Sequence, residues 1–133
     1  MLYKTLTIIG SLITIGFGVW HFFVPSIWKW YSYMDVKATE LFLAVRATNI
    51  FFSLSLVLFG ILNIFLISSS HSSKQTIIAI LLVDIVLWLT RVALQIASPQ
   101  GTMNGYLQYG MLGSFLIVLI LYAAALGIYW RSF

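Results

Sequence analysis

The sequence predicts an all-α integral membrane protein: a four-helix bundle whose consecutive helices are antiparallel neighbours and whose termini both lie on the same side of the membrane. Of its 133 residues 62% are hydrophobic and 8% are charged, and the mean hydropathy of +1.05 is far above that of a soluble domain. Four apolar windows also approach or exceed the roughly 20 residues that a helix needs to cross the ~30 Å hydrocarbon layer. The alternating pattern of membrane β-strands is not seen, so the windows are expected to be helices.

The windows cover residues 6–24, 41–67, 75–97 and 106–130. The first stops before Pro25, the second ends in a serine-rich linker, and the third ends before the Pro99-Gln100-Gly101 turn. Because the connections are short, we expect one transmembrane domain over residues 1–133. The first window is longer than the apolar core of a signal peptide and no small-residue cleavage pattern follows it, so it is expected to be retained.

The basic residues are expected to report topology. Seven Lys and Arg against three Asp and Glu give a formal charge of +4, but so few charges form no basic face for nucleic acid. Lys4, Lys74 and Arg131 fall on one side of four spans, and Lys29 and Lys37 fall on the other. The positive-inside rule then predicts a multi-pass protein of the cell inner (cytoplasmic) membrane with both termini in the cytoplasm.

Composition argues against several kinds of enzyme. The chain has no cysteine, which excludes disulfides, thiolate metal sites, cysteine nucleophiles and iron–sulfur clusters. There is no His-Glu-x-x-His spacing, carboxylate pair, phosphate-binding loop or nucleophile elbow, so we expect no metal site, and an enzyme is the least favoured class. His21 and His71 lie at opposite ends of spans, so one chain cannot ligate a haem through two histidines.

Polar residues recur at steps of three and four within three of the windows, which places them on one stripe of each helix. In the first window these are Thr7, Ser11, Thr14, Gly18, His21 and Pro25. In the second they are Arg46, Asn49, Ser53, Gly60 and Asn63, and in the third Asp84, Trp88, Arg91 and Gln95. A polar side chain facing lipid is costly, so the stripes predict a hydrophilic interior.

The fourth window is different, because its non-apolar positions are mostly small residues that permit close approach of helices. They are Gly110, Gly113, Ser114, Ala123, Ala124, Ala125 and Gly127. We therefore expect this helix to contribute packing, with a few tyrosines as further polar groups.

Counting along antiparallel helices places several of the polar residues near the outer ends of their spans. They predict an outer-leaflet ligand site made of His21, Arg46, Asn49, Trp88, Arg91 and Gln95. Guanidinium groups match carboxylates, phosphates and quinone carbonyls, so a quinone or a lipid is a candidate ligand, and the sequence leaves the cofactor open. The alternative is that Arg46 and Arg91 only extend to the interface, or pair with Glu40 and Asp84 to fix helix register.

Asp84 lies deeper, near the middle of the third window. Its expected neighbours at that level are Ser11, Thr14, Asn63 and Tyr122. A mid-membrane acid is typical of a proton-coupled transport site, a proton relay or a hydrogen-bonded structural anchor. The sequence leaves these three roles open.

Residues 17–28, with the pattern Gly-x-x-His-Phe-x-x-Pro at the end of the first window, resemble small four-helix bacterial membrane proteins of the DoxX-like kind. The resemblance covers these dozen residues and the helix count. It implies a bacterial inner-membrane protein, some of whose relatives are linked to quinone-dependent sulfur oxidation. Of functional residues it carries over only His21 and Pro25.

The preferred hypothesis from the sequence is a membrane protein that binds a polar or anionic small molecule, a lipid headgroup or a quinone in the outer-leaflet site. A second hypothesis is an accessory subunit of a larger membrane complex, held through the fourth helix and through aromatic residues at the membrane interface, such as Trp28, Trp30, Tyr31 and Tyr33 in the loop after the first window. A third is a homodimeric proton-coupled transporter centred on Asp84. The expected partners are the lipid bilayer and either other membrane subunits or further copies of the chain.

Overall fold

The computed structural model describes residues 1–132 and is all-α, with four long helices, which confirms the predicted fold class. They are α1 (Leu2–Ile27), α2 (Thr39–Ser68), α3 (Lys74–Ala97) and α4 (Gly105–Trp130), and a short 3₁₀ helix, Trp30–Tyr33, follows α1. Each long helix has the length and hydropathy needed to cross a membrane. The chain is therefore a multi-pass membrane protein.

The helices begin and end close to the predicted windows, with the largest differences in α1. This helix starts at Leu2, before the predicted start at residue 6. It also does not end before Pro25 as predicted but continues to Ile27. Proline removes one backbone donor from a helix, and a side chain of α2 replaces that donor here, as described below.

Side-chain caps fix the starts of α3 and α4. The Ser73 hydroxyl accepts a hydrogen bond from the Thr76 backbone N–H at 3.1 Å, and the Asn104 side-chain oxygen accepts one from the Tyr106 N–H at 3.0 Å. Each cap satisfies a donor that has no partner within its own helix. The linkers therefore turn the chain at defined residues.

The chain divides into two compact units. The first combines Met1–Gly10 with Asn63–Phe133, so it holds the start of α1, the end of α2 and the whole of α3 and α4. The second is Ser11–Leu62, which holds the rest of α1 and most of α2.

In the first unit α3 and α4 pack antiparallel. The buried residues of α4 recur at steps of three and four, the spacing of one helix face: Phe115, Val118, Tyr122, Ala125 and Tyr129. The Tyr3 ring of α1 lies 4.8 Å from the Tyr129 ring of α4, centroid to centroid. The start of α1 and the end of α4 therefore lie together, as expected for four antiparallel spans.

In the second unit α1 and α2 pack antiparallel and very closely. A Cβ atom added at Gly18 would lie 2.8 Å from the carbonyl oxygen of Ser53, and one added at Gly60 would lie 2.8 Å from that of Ser11. These distances are too short for any side chain, so both glycines are needed for the close approach.

The glycines of α4 do not behave as predicted. A Cβ atom added at Gly110, Gly113 or Gly127 would meet nothing within 4 Å. Close packing of α4 through these glycines is therefore not made among the residues that the structure describes. Their absent side chains leave an open face, whereas α4 packs through larger residues and through Ala125, a small residue that is buried as predicted.

Candidate functional site

The described residues bury polar as well as apolar side chains, and many large apolar side chains are exposed, as expected for a membrane protein whose polar groups face inward. The buried polar and charged side chains are Thr7, Ser11, Thr14, Asn49, Ser53, Asn63, Asp84 and Gln95. Large apolar side chains lie outside, such as Phe51, which is 75% exposed, and Phe65, which is 68% exposed. The polar stripes predicted on the first three helices are thus mainly interior.

Arg91 is the centre of a group of residues near the end of α3, in the first unit. We call this group the Arg91 cluster; it comprises Trp88, Arg91, Gln95, Gln100 and Phe115. The guanidinium nitrogen Nη2 donates a hydrogen bond to Oε1 of Gln100 at 2.7 Å, and the guanidinium carbon lies 4.4 Å from the centre of the Phe115 ring. The Trp88 ring lies 5.8 Å from the same phenyl ring, so arginine and tryptophan both contact one aromatic side chain.

Gln95 ties the loop between α3 and α4 to the end of α3. Its Nε2 donates to the backbone carbonyl of Gln100 at 2.9 Å and lies 3.5 Å from that of Gln108. Its Oε1 accepts from the Gln100 backbone N–H at 3.4 Å. This buried amide therefore holds the loop in place and, through Gln100, positions a partner of Arg91.

In the second unit the residues around His21 are arranged for helix packing. Pro25 has no N–H, so the carbonyl oxygen of His21 lacks its donor within the helix. Nδ2 of Asn49 on α2 donates to that oxygen at 3.0 Å. The His21 ring itself meets Phe52 edge to face, with ring centres 4.9 Å apart. Pro25, His21 and Asn49 thus form one structural connection between α1 and α2.

Arg46 differs from the other members of its predicted stripe, because its side chain is exposed. It lies in the second turn of α2, where a long side chain extends outward at low cost. This position agrees with the alternative that Arg46 extends to the interface.

The structure thus brings five of the six predicted ligand residues into two groups, whereas the sixth, Arg46, is exposed. Trp88, Arg91 and Gln95 are joined through the Arg91 cluster, and His21 and Asn49 are joined by a hydrogen bond. The single outer-leaflet site formed by all six residues stays a prediction.

Sequence reasoning missed Gln100 and Phe115. Gln100 lies in a turn between Pro99 and Gly101, where no helical periodicity indicates direction. Phe115 belongs to the same face as Tyr122, seven residues away, but an apolar residue on an apolar helix gives no functional signal. An open depression of about 710 Å³ at the start of α4 was also missed, and it is lined by Met103, Asn104, Gly105, Tyr106, Tyr109 and Gly110.

The polar residues in the middle of the first unit are arranged around Asn63. Its Nδ2 donates to Oδ2 of Asp84 at 2.8 Å and lies 3.3 Å from the hydroxyl oxygen of Tyr122. Asn63 and Tyr122 therefore lie at the level of Asp84, as predicted. Among the described residues, no three His, Asp or Glu side chains come together where they could hold a metal ion.

Comparison of the chain with protein-family models, with curated proteins and with solved structures finds no match. The DoxX-like resemblance of residues 17–28 stays a prediction. The roles of Gly18, His21 and Pro25 in that motif are accounted for here by the contact between α1 and α2.

Proposed function

We propose that this membrane protein binds an anionic group, a phosphate or carboxylate, through Arg91 at the end of α3. The observation that carries the proposal is the set of partners around this cation. The guanidinium is partly buried in a membrane span, yet its partners, the Gln100 amide and the Phe115 ring, are both neutral. They orient the charge without balancing it.

Within the described part of the first unit the only acidic side chain is Asp84, which is poorly placed to supply that balance. The whole chain has only three acidic residues. Asp35 and Glu40 are exposed in the other unit, and the Asp35 carboxylate accepts the Lys37 backbone N–H at 2.9 Å. Asp84 lies seven residues before Arg91 on α3, about 10 Å along the helix axis, and it is bonded to Asn63. An uncompensated cation in a span is costly, so an external anion is a fitting partner.

The depth of Arg91 suits a ligand at the membrane surface. It lies about 9 Å before the end of α3, close to the boundary between hydrocarbon and headgroups. The hydrogen bond to Gln100 uses one N–H of a guanidinium that carries several, which leaves donors for phosphate or carboxylate oxygens. The distribution of the basic residues favours a position of this end of α3 in the outer leaflet of the inner membrane.

Native mass spectrometry of the full chain released from lipid nanodiscs tests the proposal. We expect the wild type to retain phosphatidylglycerol in preference to phosphatidylcholine, and Arg91→Gln to lose this preference. Arg46→Gln removes an exposed arginine and is the matched control, and Gln100→Ala removes the neutral partner while keeping the charge. Both should retain the lipid.

The same experiment separates the sources of the anion. If the delipidated protein instead takes up a soluble phosphate or carboxylate in an Arg91-dependent way, the ligand is a small molecule rather than a headgroup. Retention of a neutral quinone would instead indicate that Arg91 recognises carbonyl groups. Equal retention of every ligand by wild type and Arg91→Gln would refute an anion site.

A second candidate function, that of a subunit in a membrane complex, is favoured by the open face of α4. Residues at steps of three and four form this face: Gly110, Gly113, Ile117, Ile120, Ala124 and Gly127. Ile117 is 55% exposed and Ile120 is 62% exposed. Small residues at such spacing are typical of contacts between membrane helices.

A bulky substitution tests the subunit candidate. Gly113→Ile should abolish association with a second copy or a partner helix, while the fold of the chain is kept because a Cβ at this position meets nothing within 4 Å. Gly16→Ile on α1 is the matched control, since its Cβ is equally unobstructed. A wild-type chain that is monomeric in mild detergent, with an unchanged mass in both variants, would reject this candidate.

A further inference from the structure

Three side chains on three helices form a polar centre inside the first unit. We call Asp84, Asn63 and Tyr122 the Asp84 centre. Asp84 is 2% exposed, and Asn63 and Tyr122 are 0% exposed. Asp84 lies about 15 Å from the start of α3 and about 20 Å from its end, so the centre is near the middle of the span.

The geometry around the carboxylate uses one end of the Asn63 amide. Nδ2 donates to Asp84 Oδ2 at 2.8 Å, and its distance to the Tyr122 hydroxyl oxygen is 3.3 Å. The other end, Oδ1, is buried and has no hydrogen-bond partner among the described residues. A buried acceptor without a donor is costly, so this amide orientation serves the carboxylate at the expense of its own oxygen.

An amide is suited to both protonation states of a carboxyl group. A carboxylate only accepts hydrogen bonds, which matches the Nδ2 end, whereas a neutral carboxylic acid also carries an O–H donor, which matches the Oδ1 end. The two ends have nearly the same shape, so a half-turn of the amide exchanges them within the same space. After that turn Oδ1 occupies the present position of Nδ2, within reach of both Asp84 and the Tyr122 hydroxyl.

We propose that Asp84 takes up and releases a proton inside the membrane, and that the Asn63 amide turns between two orientations as it does so. In the charged state Nδ2 donates to the carboxylate. In the neutral state the added proton lies on the carboxyl oxygen and is donated to Oδ1, which then gains a donor, while Nδ2 moves to the place that Oδ1 leaves. No backbone movement and no other reactant are required.

Few other titratable groups of the first unit face the centre. Tyr122 enters from α4, and its ring is so close to α1 that a Cβ at Gly10 would lie 3.1 Å from it. Asn63 from α2 and Gly10 from α1 bring no titratable group. On α3 itself the nearest charge is Arg91, about 10 Å along the axis. Asp84 is therefore the group whose protonation is expected to change.

Infrared difference spectroscopy of the full chain in lipid bilayers, between acidic and alkaline buffer, tests the proposal. We expect the carbonyl stretch of a protonated carboxyl group to appear on acidification and to be lost in Asp84→Asn, whose amide still pairs with Asn63. Glu40→Gln removes an exposed carboxyl group and is the matched control, so the Asp84 band should persist in it.

Substitutions at Asn63 separate a proton site from a structural anchor. Asn63→Leu removes both orientations and should shift the frequency of the band and the pH at which it appears, while Asn63→Gln, which keeps the amide, should restore both in part. A band that is unchanged by Asn63→Leu would refute the turning amide. If Asp84 shows the same protonation state throughout the pH range in which the protein stays folded, the proton site itself is refuted. Arg91→Gln should leave this signal in place, so the result is independent of the anion site.

Discussion

The Nδ2 atom of Asn49 lies 3.0 Å from the carbonyl oxygen of His21 and donates a hydrogen bond to it. This oxygen is the one that Pro25, four residues later, leaves without a donor. A side chain on α2 thus completes the hydrogen bonding of α1, which is why α1 continues through its proline. The interaction couples helix geometry to helix association, since a free carbonyl in a membrane span is costly.

A double-mutant cycle tests this relationship between Asn49 and Pro25. Asn49→Leu should lower the free energy of unfolding by about 0.5–1.5 kcal/mol, because it leaves the His21 carbonyl without a donor. In a Pro25→Ala background the new backbone N–H serves that carbonyl, so the same substitution should cost much less. Titration with a denaturing detergent, followed by far-UV circular dichroism, measures both costs. Equal costs in the two backgrounds would show that the hydrogen bond does not compensate for proline.

The close contact between α1 and α2 predicts a strong dependence on two glycines. Gly18→Ala and Gly60→Ala each place a Cβ 2.8 Å from a backbone oxygen of the opposite helix, so each should destabilise the protein by about 1–3 kcal/mol. Gly16→Ala is the matched control on α1, because a Cβ there meets nothing within 4 Å. It should be neutral or slightly stabilising, since alanine favours helix.

Unfolding measured in the same detergent titration compares the three variants. A loss at position 16 as large as at positions 18 and 60 would indicate that glycine is needed for helix flexibility rather than for the close contact.

Because the chain has no cysteine, single introduced cysteines can test its topology directly. By the positive-inside rule, the side that carries Lys4, Lys74 and Arg131 is expected to be cytoplasmic. The linker after α2 is then on the cytoplasmic side of the membrane and the loop after α3 on the opposite side. Thr102→Cys should react with a membrane-impermeant maleimide on intact cells. Ser70→Cys should react only after permeabilisation, although both positions are exposed. The reverse labelling pattern would place the Arg91 end of α3 in the cytoplasmic leaflet.

The sequence predicted the four spans and the polar faces because both depend on local properties, hydropathy and helical phase. Phase also predicted that Asn63 and Tyr122 lie level with Asp84, since depth follows from counting residues along each helix. Phase does not specify which neighbour a side chain contacts. The hydrogen bond from Asn49 to the His21 carbonyl depends on how two helices are rotated relative to each other, and this cannot be predicted from the sequence of either helix alone.

The remaining differences between the sequence predictions and the structure arise where helical periodicity is absent or ambiguous. Gln100 lies in a turn, so its contact with Arg91 follows from the path of the loop rather than from any pattern. The small residues of α4 suit close packing against either the same chain or another one, and the sequence does not distinguish the two. The structure leaves Gly110, Gly113 and Gly127 open, which moves the expected contact from the interior to the outer face.

Gln95 provides the last prediction, because it separates the positioning of the loop from the binding of a ligand. Gln95→Leu removes the hydrogen bonds of a buried amide to Gln100, at 2.9 Å and 3.4 Å, and should increase local opening of residues 98–104. Hydrogen exchange monitored by mass spectrometry should show faster exchange in this loop and unchanged exchange in the middle of α3. Gln75→Leu, at an exposed position in the first turn of α3, is the matched control and should change neither. If Gln95→Leu leaves exchange in the loop unchanged, Gln95 does not hold the loop. If the loop opens and anionic lipid is still retained, Arg91 binds the anion without the support of Gln100, because Gln95 acts on Arg91 only through that residue.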